Sequence, residues 1–177
     1  MERYTAFLRG INVSGQKLIK MEALRKVLSD NGFTDVKTYI QSGNVIFSSE
    51  ITDSNHLIWE IEDLIEKHFG FRTDVILRRL SEIESVLSSL ELCKLNSEED
   101  RKCYITFAKE EHSVHIEVPL FSKNHDVEII SYNHKDFISV STEYKGSYGF
   151  PNSFIEKLTG IPATTRNPNT LEKILAL

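Results

Sequence analysis

The sequence predicts an α+β protein made of two tandem ferredoxin-like (βαββαβ) subdomains with antiparallel sheets and a C-terminal helix. Three observations predict it. Residues 3–78 read in the order β-α-β-β-α-β, a second series from residue 103 echoes that order, and residues 168–176 carry a final amphipathic pattern. No residue-level repeat links the halves.

Each element has its own justification. Tyr4-Thr-Ala-Phe-Leu-Arg9 is rich in β-formers, so residues 3–9 read as a strand. A helix follows over 20–31, with Met21, Leu24, Val27 and Leu28 on one stripe and Asn31-Gly32 as its stop. Val36, Thr38 and Ile40 alternate with Lys37, Tyr39 and Gln41, the pattern of a half-buried strand. Ser42-Gly43 reads as a two-residue turn, and Val45–Ser49 returns as the partner strand. A second helix begins near Ser54, buries Ile58, Ile61, Leu64 and Ile65, and stops at Gly70. Asp74–Arg78 closes the first subdomain as a strand, giving boundaries of 1–79.

Residues 80–100 read as a helical linker, with a plausible helix from Leu80 to Leu90 and a solvated charge run over 96–101. The second subdomain, 101–177, begins with a strand at Cys103–Ala108 and continues through an irregular or short helical piece at 110–123. Val127–Ser131 and Phe137–Ser141 form a hairpin around Asn133-His134. A helix over 151–159 stops at Gly160, a short strand covers Ala163–Arg166, and the last helix presents Leu171, Ile174 and Leu175.

Composition sets limits. The chain has 177 residues, 40% of them hydrophobic and 27% charged, the profile of a globular protein. Its net charge of −5 opposes nucleic acid as the main partner, because phosphate recognition concentrates positive charge. A small anionic ligand is still allowed. Cys93 and Cys103 are too few for a disulfide framework and are not spaced as a zinc motif, so they read as reduced thiols in a cytoplasmic protein. Residues 1–20 show no signal-peptide pattern, and no apolar run approaches the roughly 20 residues of a membrane span.

Three stretches stand out. "LRGINVSGQK", residues 8–17, places Gly10 and Gly15 five apart with Lys17 soon after. A phosphate-binding P-loop is excluded by register, since Gln16 takes the lysine position and Leu18 replaces the metal-binding hydroxyl. Glycines in such a loop can aim successive N–H groups at one anion, with Arg9, Lys17 and the Asn12 amide nearby. The alternative is a plain strand-to-helix crossover. "QSGN", residues 41–44, flanks a hairpin dipeptide with Gln41 and Asn44, amides that strands disfavour. "TTRNPNT", 164–170, reads as an N-cap at Asn167 with Pro168 at the first helical position, leaving Arg166 without a structural reason.

Together these stretches resemble domain-of-unknown-function family 1697, an uncharacterised bacterial family, over residue 3 to the C-terminus. The resemblance implies two consecutive ferredoxin-like α/β subdomains and names no reaction. Its signature positions fall on Arg9, Gly10, Asn12 and Gly15, on Gln41, Ser42, Gly43 and Asn44, and on Thr165, Arg166, Asn167, Asn169 and Thr170. Pro168 stands where the family's third motif usually has tryptophan, and "LELCKL" at 90–95 replaces the usual Asn-Pro-Phe.

Other constellations read as structural. His112-x-x-His115 with Glu110, Glu111 and Glu117 lacks a third ligand at fixed spacing, so no metal is expected, and no cofactor either. Glu60, Glu62, Asp63 and Glu66 read as the wet face of the second helix. Tyr132, Tyr144, Tyr148 and Phe150 would make an aromatic platform for bases, but the RNP pattern is missing.

The leading expectation is a binding module for a small anionic or amide-bearing ligand, in a cleft of the 9–17 loop, the 41–44 turn and the 164–170 segment. Its ligand-binding residues would be Arg9, Gly10, Asn12, Gly15, Lys17, Gln41, Ser42, Gly43, Asn44, Thr165, Arg166 and Asn167. The alternatives are an enzyme using the same cleft, motifs that only lock the subdomains together, and an RNA-interaction module. The first lacks an evident nucleophile or general base. The last is opposed by the acidic charge.

Overall fold

The computed structural model of the chain describes residues 1–90 and 101–177. It is a mixed α+β protein with two antiparallel sheets and, among the described residues, five helices. Two compact units divide the chain: Met1–Ile83 with Lys173–Leu177, and Glu84–Glu172. The expected charge run, apart from Arg101, and the expected linker from residue 91 to 100 lie outside the described residues.

The first unit runs β1 (Glu2–Leu8), α1 (Met21–Asp30), β2 (Thr34–Tyr39), β3 (Asn44–Ser49), α2 (Ser54–Phe69) and β4 (Val75–Arg79), followed by the start of α3 (Leu80–Ser88). Its sheet has the strand order β2-β3-β1-β4, every neighbour antiparallel. Tyr4–Leu8 of β1 and all six residues of β3 are buried, as central strands covered on both faces should be. Helix α2 has both ends closed by its own sequence. The Asp53 side chain accepts from the N–H groups of Asn55 and His56, and Gly70, at φ 78°, donates its N–H to the Glu66 carbonyl. Leu57, Ile61, Leu64 and Ile65 are its buried residues and pack with Tyr4, Leu24, Leu28, Phe33 and Phe47 in one cluster. Phe33 meets Phe47 edge-on at 5.0 Å.

The second unit continues with β5 (Arg101–Ala108), β6 (Leu120–Phe121), β7 (Val127–Tyr132), β8 (Asp136–Tyr144), β9 (Ser147–Tyr148), α4 (Pro151–Thr159) and β10 (Ala163–Arg166). Its antiparallel sheet has the order β10-β5-β8-β7-β6, with β9 paired to β8 alone. The path β10-β5-β8-β7 repeats that of the first sheet, with an irregular crossover over 109–119 in place of a helix. Helix α5 (Pro168–Leu175) begins in this unit and ends in the first.

Three expectations need correcting. Ile40 is not an inward strand residue: β2 ends at Tyr39, and Ile40 sits in a turn at φ 49°, 54% exposed. The β2–β3 connection is four residues, 40–43, closed by the Tyr39–Asn44 pair, rather than the dipeptide Ser42-Gly43. Cys103 stands in a disulfide, not as a reduced thiol, while Cys93 lies outside the described residues. Among the described residues no helix is long and apolar enough to cross a membrane.

Candidate functional site

The glycine-bearing loop after β1 is a miniature hairpin. Gln16 N–H donates to the Val13 carbonyl at 3.0 Å and Asn12 N–H to the Lys17 carbonyl at 3.2 Å. Between them Ser14 and Gly15 sit at φ 51° and 73°, the paired positive angles of a type I′ turn. Two of the N–H groups that an anion nest would use are therefore engaged inside the loop. Asn12 acts as a clasp. Its Oδ1 accepts from Ile19 N–H at 2.8 Å, while its Nδ2 donates to the Ile19 and Gln41 carbonyls at 3.0 and 2.8 Å.

The Gln41 contact joins the loop to the second motif. Leu8 N–H donates to the Gly43 carbonyl at 2.8 Å, and the fully buried Asn44 donates through Nδ2 to the Tyr39 carbonyl and Ser42 Oγ at 3.1 and 3.0 Å. A Cβ at Gly43 would lie 2.8 Å from Leu8 Cβ and 2.9 Å from the Ile11 side chain, so only glycine fits. The loop and the 40–44 turn form one hydrogen-bonded block, with the Asn12 and Asn44 side-chain amides bonded to its own backbone.

The charged residues of the first motif turn toward the segment ahead of β4. Arg9 N–H donates to the Asp74 carbonyl at 2.9 Å, Thr73 Oγ1 donates to the Arg9 carbonyl at 2.6 Å, and the Arg9 guanidinium lies 3.9 Å from the Asp74 carboxylate. Lys17 Nζ donates to the Arg72 carbonyl at 2.7 Å and stands 5.9 Å from the Phe71 ring centre. Beside these contacts opens a cleft of about 380 Å³. Lys17, Arg72, Thr73 and Asp74 line one side, and Trp59, Glu62, Asp63 and Glu66 of α2 line the other. Trp59 is 63% exposed.

Charge in the cleft alternates. Arg72 Nε reaches both Glu66 oxygens at 2.8 Å, and that hydrogen bond, with the attraction between the charges, holds the Arg72 pKa above its ordinary value. Asp63 pairs with Lys67 at 2.7 Å, and Glu62 accepts the Val75 N–H at 2.9 Å. Two cations against four carboxylates disfavour a multiply charged anion and leave donors and acceptors side by side.

Thr165, Arg166 and Asn167 belong to the second unit and are held there. Asn167 caps α5, its Oδ1 accepting the Thr170 N–H at 2.8 Å. Thr165 Oγ1 lies 2.7 Å from Thr106 Oγ1 and donates to Asn152 Oδ1. Arg166 Nη1 donates to Thr164 Oγ1 at 2.6 Å and to the Thr165 carbonyl at 2.8 Å. Burial pushes the Arg166 pKa down to about 10, which leaves the guanidinium charged at neutral pH.

Of the expected site residues, Lys17 lines the cleft and Arg9 is tied to its Asp74. Asn12, Gly43 and Asn44 build the block beside it. Glu62, Asp63 and Glu66, which the sequence reads as a solvated helix face, lie with Trp59, which no motif singles out, on one helical stripe at i, i+3, i+4 and i+7. An exposed tryptophan on an acidic stripe is the signal that would have found them. The four aromatic residues of the second unit take separate neighbours. Tyr132 stacks with His112 and Phe137, Tyr144 and Tyr148 receive Lys145 and Lys102, and Phe150 meets Tyr104.

The chain aligns with the conserved bacterial protein SP0830 from Streptococcus pneumoniae at a TM-score of 0.68 and 23% identity, over 99% of this chain and 97% of that one. At that identity the likeness concerns the fold. None of the curated proteins matches the chain. Residues 1–137, which hold both the loop and the QSGN turn, match the family described as protein of unknown function (DUF1697), and the chain belongs to that family.

Proposed function

We propose that the first unit is a binding module for a small amide-bearing or singly anionic ligand, taken in the cleft beside the 9–17 loop. The observation that carries this reading is the indole of Trp59, a large apolar ring left exposed on the wall of a cleft otherwise lined by charged groups and Thr73. A flat ligand stacks on it, and its polar end meets Arg72 or Lys17 on one side and the α2 carboxylates on the other. An amide suits this lining best, since it both donates and accepts.

Trp59 is the chain's single tryptophan, so its emission reports on the cleft directly. Nicotinamide and nicotinate, a planar amide and a planar carboxylate, are suitable first probes. The expected result is a saturable emission change with either probe that disappears in Arg72→Ala while the melting temperature holds. Unchanged emission across planar amides and carboxylates refutes the reading.

A second reading concerns the motifs themselves. The bonds of Asn12 and Asn44 and the tight fit of Gly43 support a structural role for LRGIN and QSGN, acting within the first unit. The shared path of both sheets supports the finer expectation of two ferredoxin-like subdomains, the second lacking its first crossover helix.

A further inference from the structure

We infer that the second unit carries a separate binding site for a small organic monoanion with an apolar body, in a pocket between residues 122–127 and α4. The pocket measures about 560 Å³, within the range that holds small molecules. Helix α4 presents Phe154 and Leu158, four residues apart on one stripe, and Phe150 just ahead of the helix is 56% exposed. With Val127 these side chains make an apolar wall.

The wall is braced. A Cβ at Gly149 would stand 2.5 Å from the Asp126 carbonyl oxygen and 2.7 Å from Val127 Cγ2, so the chain before Phe150 lies directly on the facing segment. The ring of Phe150 also meets Tyr104 edge-on at 5.8 Å. Such contacts hold the pocket open before a ligand arrives, which lowers the entropy lost on binding.

Charge then selects the ligand. Lys123 and Lys157 line the same pocket, and neither has an ion-pair or hydrogen-bond partner among the described residues. The acid in the lining, Asp126, already accepts from Ser122 Oγ at 2.6 Å. In a chain of net charge −5, two unneutralised ammonium groups beside an aromatic and aliphatic wall complement a carboxylate joined to a hydrocarbon or aromatic body.

Octanoate, kept below its micelle concentration, is the probe. Octylammonium shares its body with the opposite charge, and acetate shares its charge without the body. Calorimetry and amide-shift mapping on the full chain should show saturable octanoate binding, with shifts confined to 122–127 and 150–158. Both control compounds should bind at least about tenfold more weakly, the scale of one or two lost contacts. Lys123→Glu with Lys157→Glu, both exposed, should weaken octanoate by a similar factor without changing the melting temperature. Absent saturation, shifts mapping elsewhere, equal binding of octylammonium, or affinity unmoved by the charge reversal would each overturn the proposal.

Discussion

Replacing Gly43 by alanine tests whether QSGN is packed against β1 as the geometry indicates. Gly43 sits at φ 76°, and its added Cβ would approach Leu8 Cβ to 2.8 Å and Ile11 Cδ1 to 2.9 Å. Leu8 Cβ is fixed by the backbone of β1, and Ile11 is 2% exposed, so neither can swing aside. The left-handed backbone costs an alanine about 1–2 kcal/mol. Overpacking a filled site adds about 1–3 kcal/mol, for a loss of about 2–5 kcal/mol. Gly15→Ala is the matched control, because Gly15 has nearly the same φ of 73° but nothing within 4 Å of its Cβ. It should lose only the backbone term, and the smaller unfolded-state entropy of alanine helps both variants alike. Urea unfolding of the pair, with unchanged slopes, isolates the steric difference of about 1–3 kcal/mol. Equal losses in the two variants would refute the packing argument.

Three further perturbations follow from named contacts. Asn12→Asp keeps an acceptor for Ile19 N–H but turns a carboxylate on the Ile19 and Gln41 carbonyls; it should destabilise more than Asn12→Ala, by about 1 kcal/mol in denaturant titrations, and a reversed order would refute the clasp. His112 is buried, its ring nitrogens have no hydrogen-bond partner among the described residues, and it stacks on Phe137 at 5.1 Å, so His112→Phe should raise unfolding stability by about 1–2 kcal/mol; a loss of stability would refute this. Ile40→Gly should be neutral or stabilising by up to about 1 kcal/mol, since a β-branched residue at φ 49° is strained and this one is exposed; a clear drop in melting temperature would count against it.

The fold was legible where period and punctuation coincide. Helix α2 shows an apolar stripe from near Ser54 and a glycine stop at Gly70, and it runs over Ser54–Phe69. Residues 36–41 alternate polar and apolar, and that alternation predicts a strand through Gln41 because it does not register the change of backbone angles at Ile40. The β8–β9 hairpin escaped for a related reason. Strands as short as Ser147–Tyr148 have no period, and only the turn pair Lys145-Gly146, at φ 51° and 84°, marks the reversal. The site was less legible. Motif residues are short polar types, and the same types serve clasps, caps and ligand contacts. The cleft-facing carboxylates of α2 have the composition of any solvated helix face, so only the cleft tells the two apart.

One set of contacts joins the motif to the cleft. Asn12 closes the loop on Ile19 and Gln41, which fixes where Arg9 and Lys17 emerge. Three contacts then stitch the loop to the strand entry: Arg9 N–H on the Asp74 carbonyl, Thr73 Oγ1 on the Arg9 carbonyl, and Lys17 Nζ on the Arg72 carbonyl. Arg72, Thr73 and Asp74 are the residues that face Trp59 and the α2 carboxylates across the cleft. The conspicuous residues thus act at one remove. They hold the backbone of the inconspicuous ones, and a change at Asn12 reaches the cleft through the position of residues 72–74 rather than through a lost ligand contact.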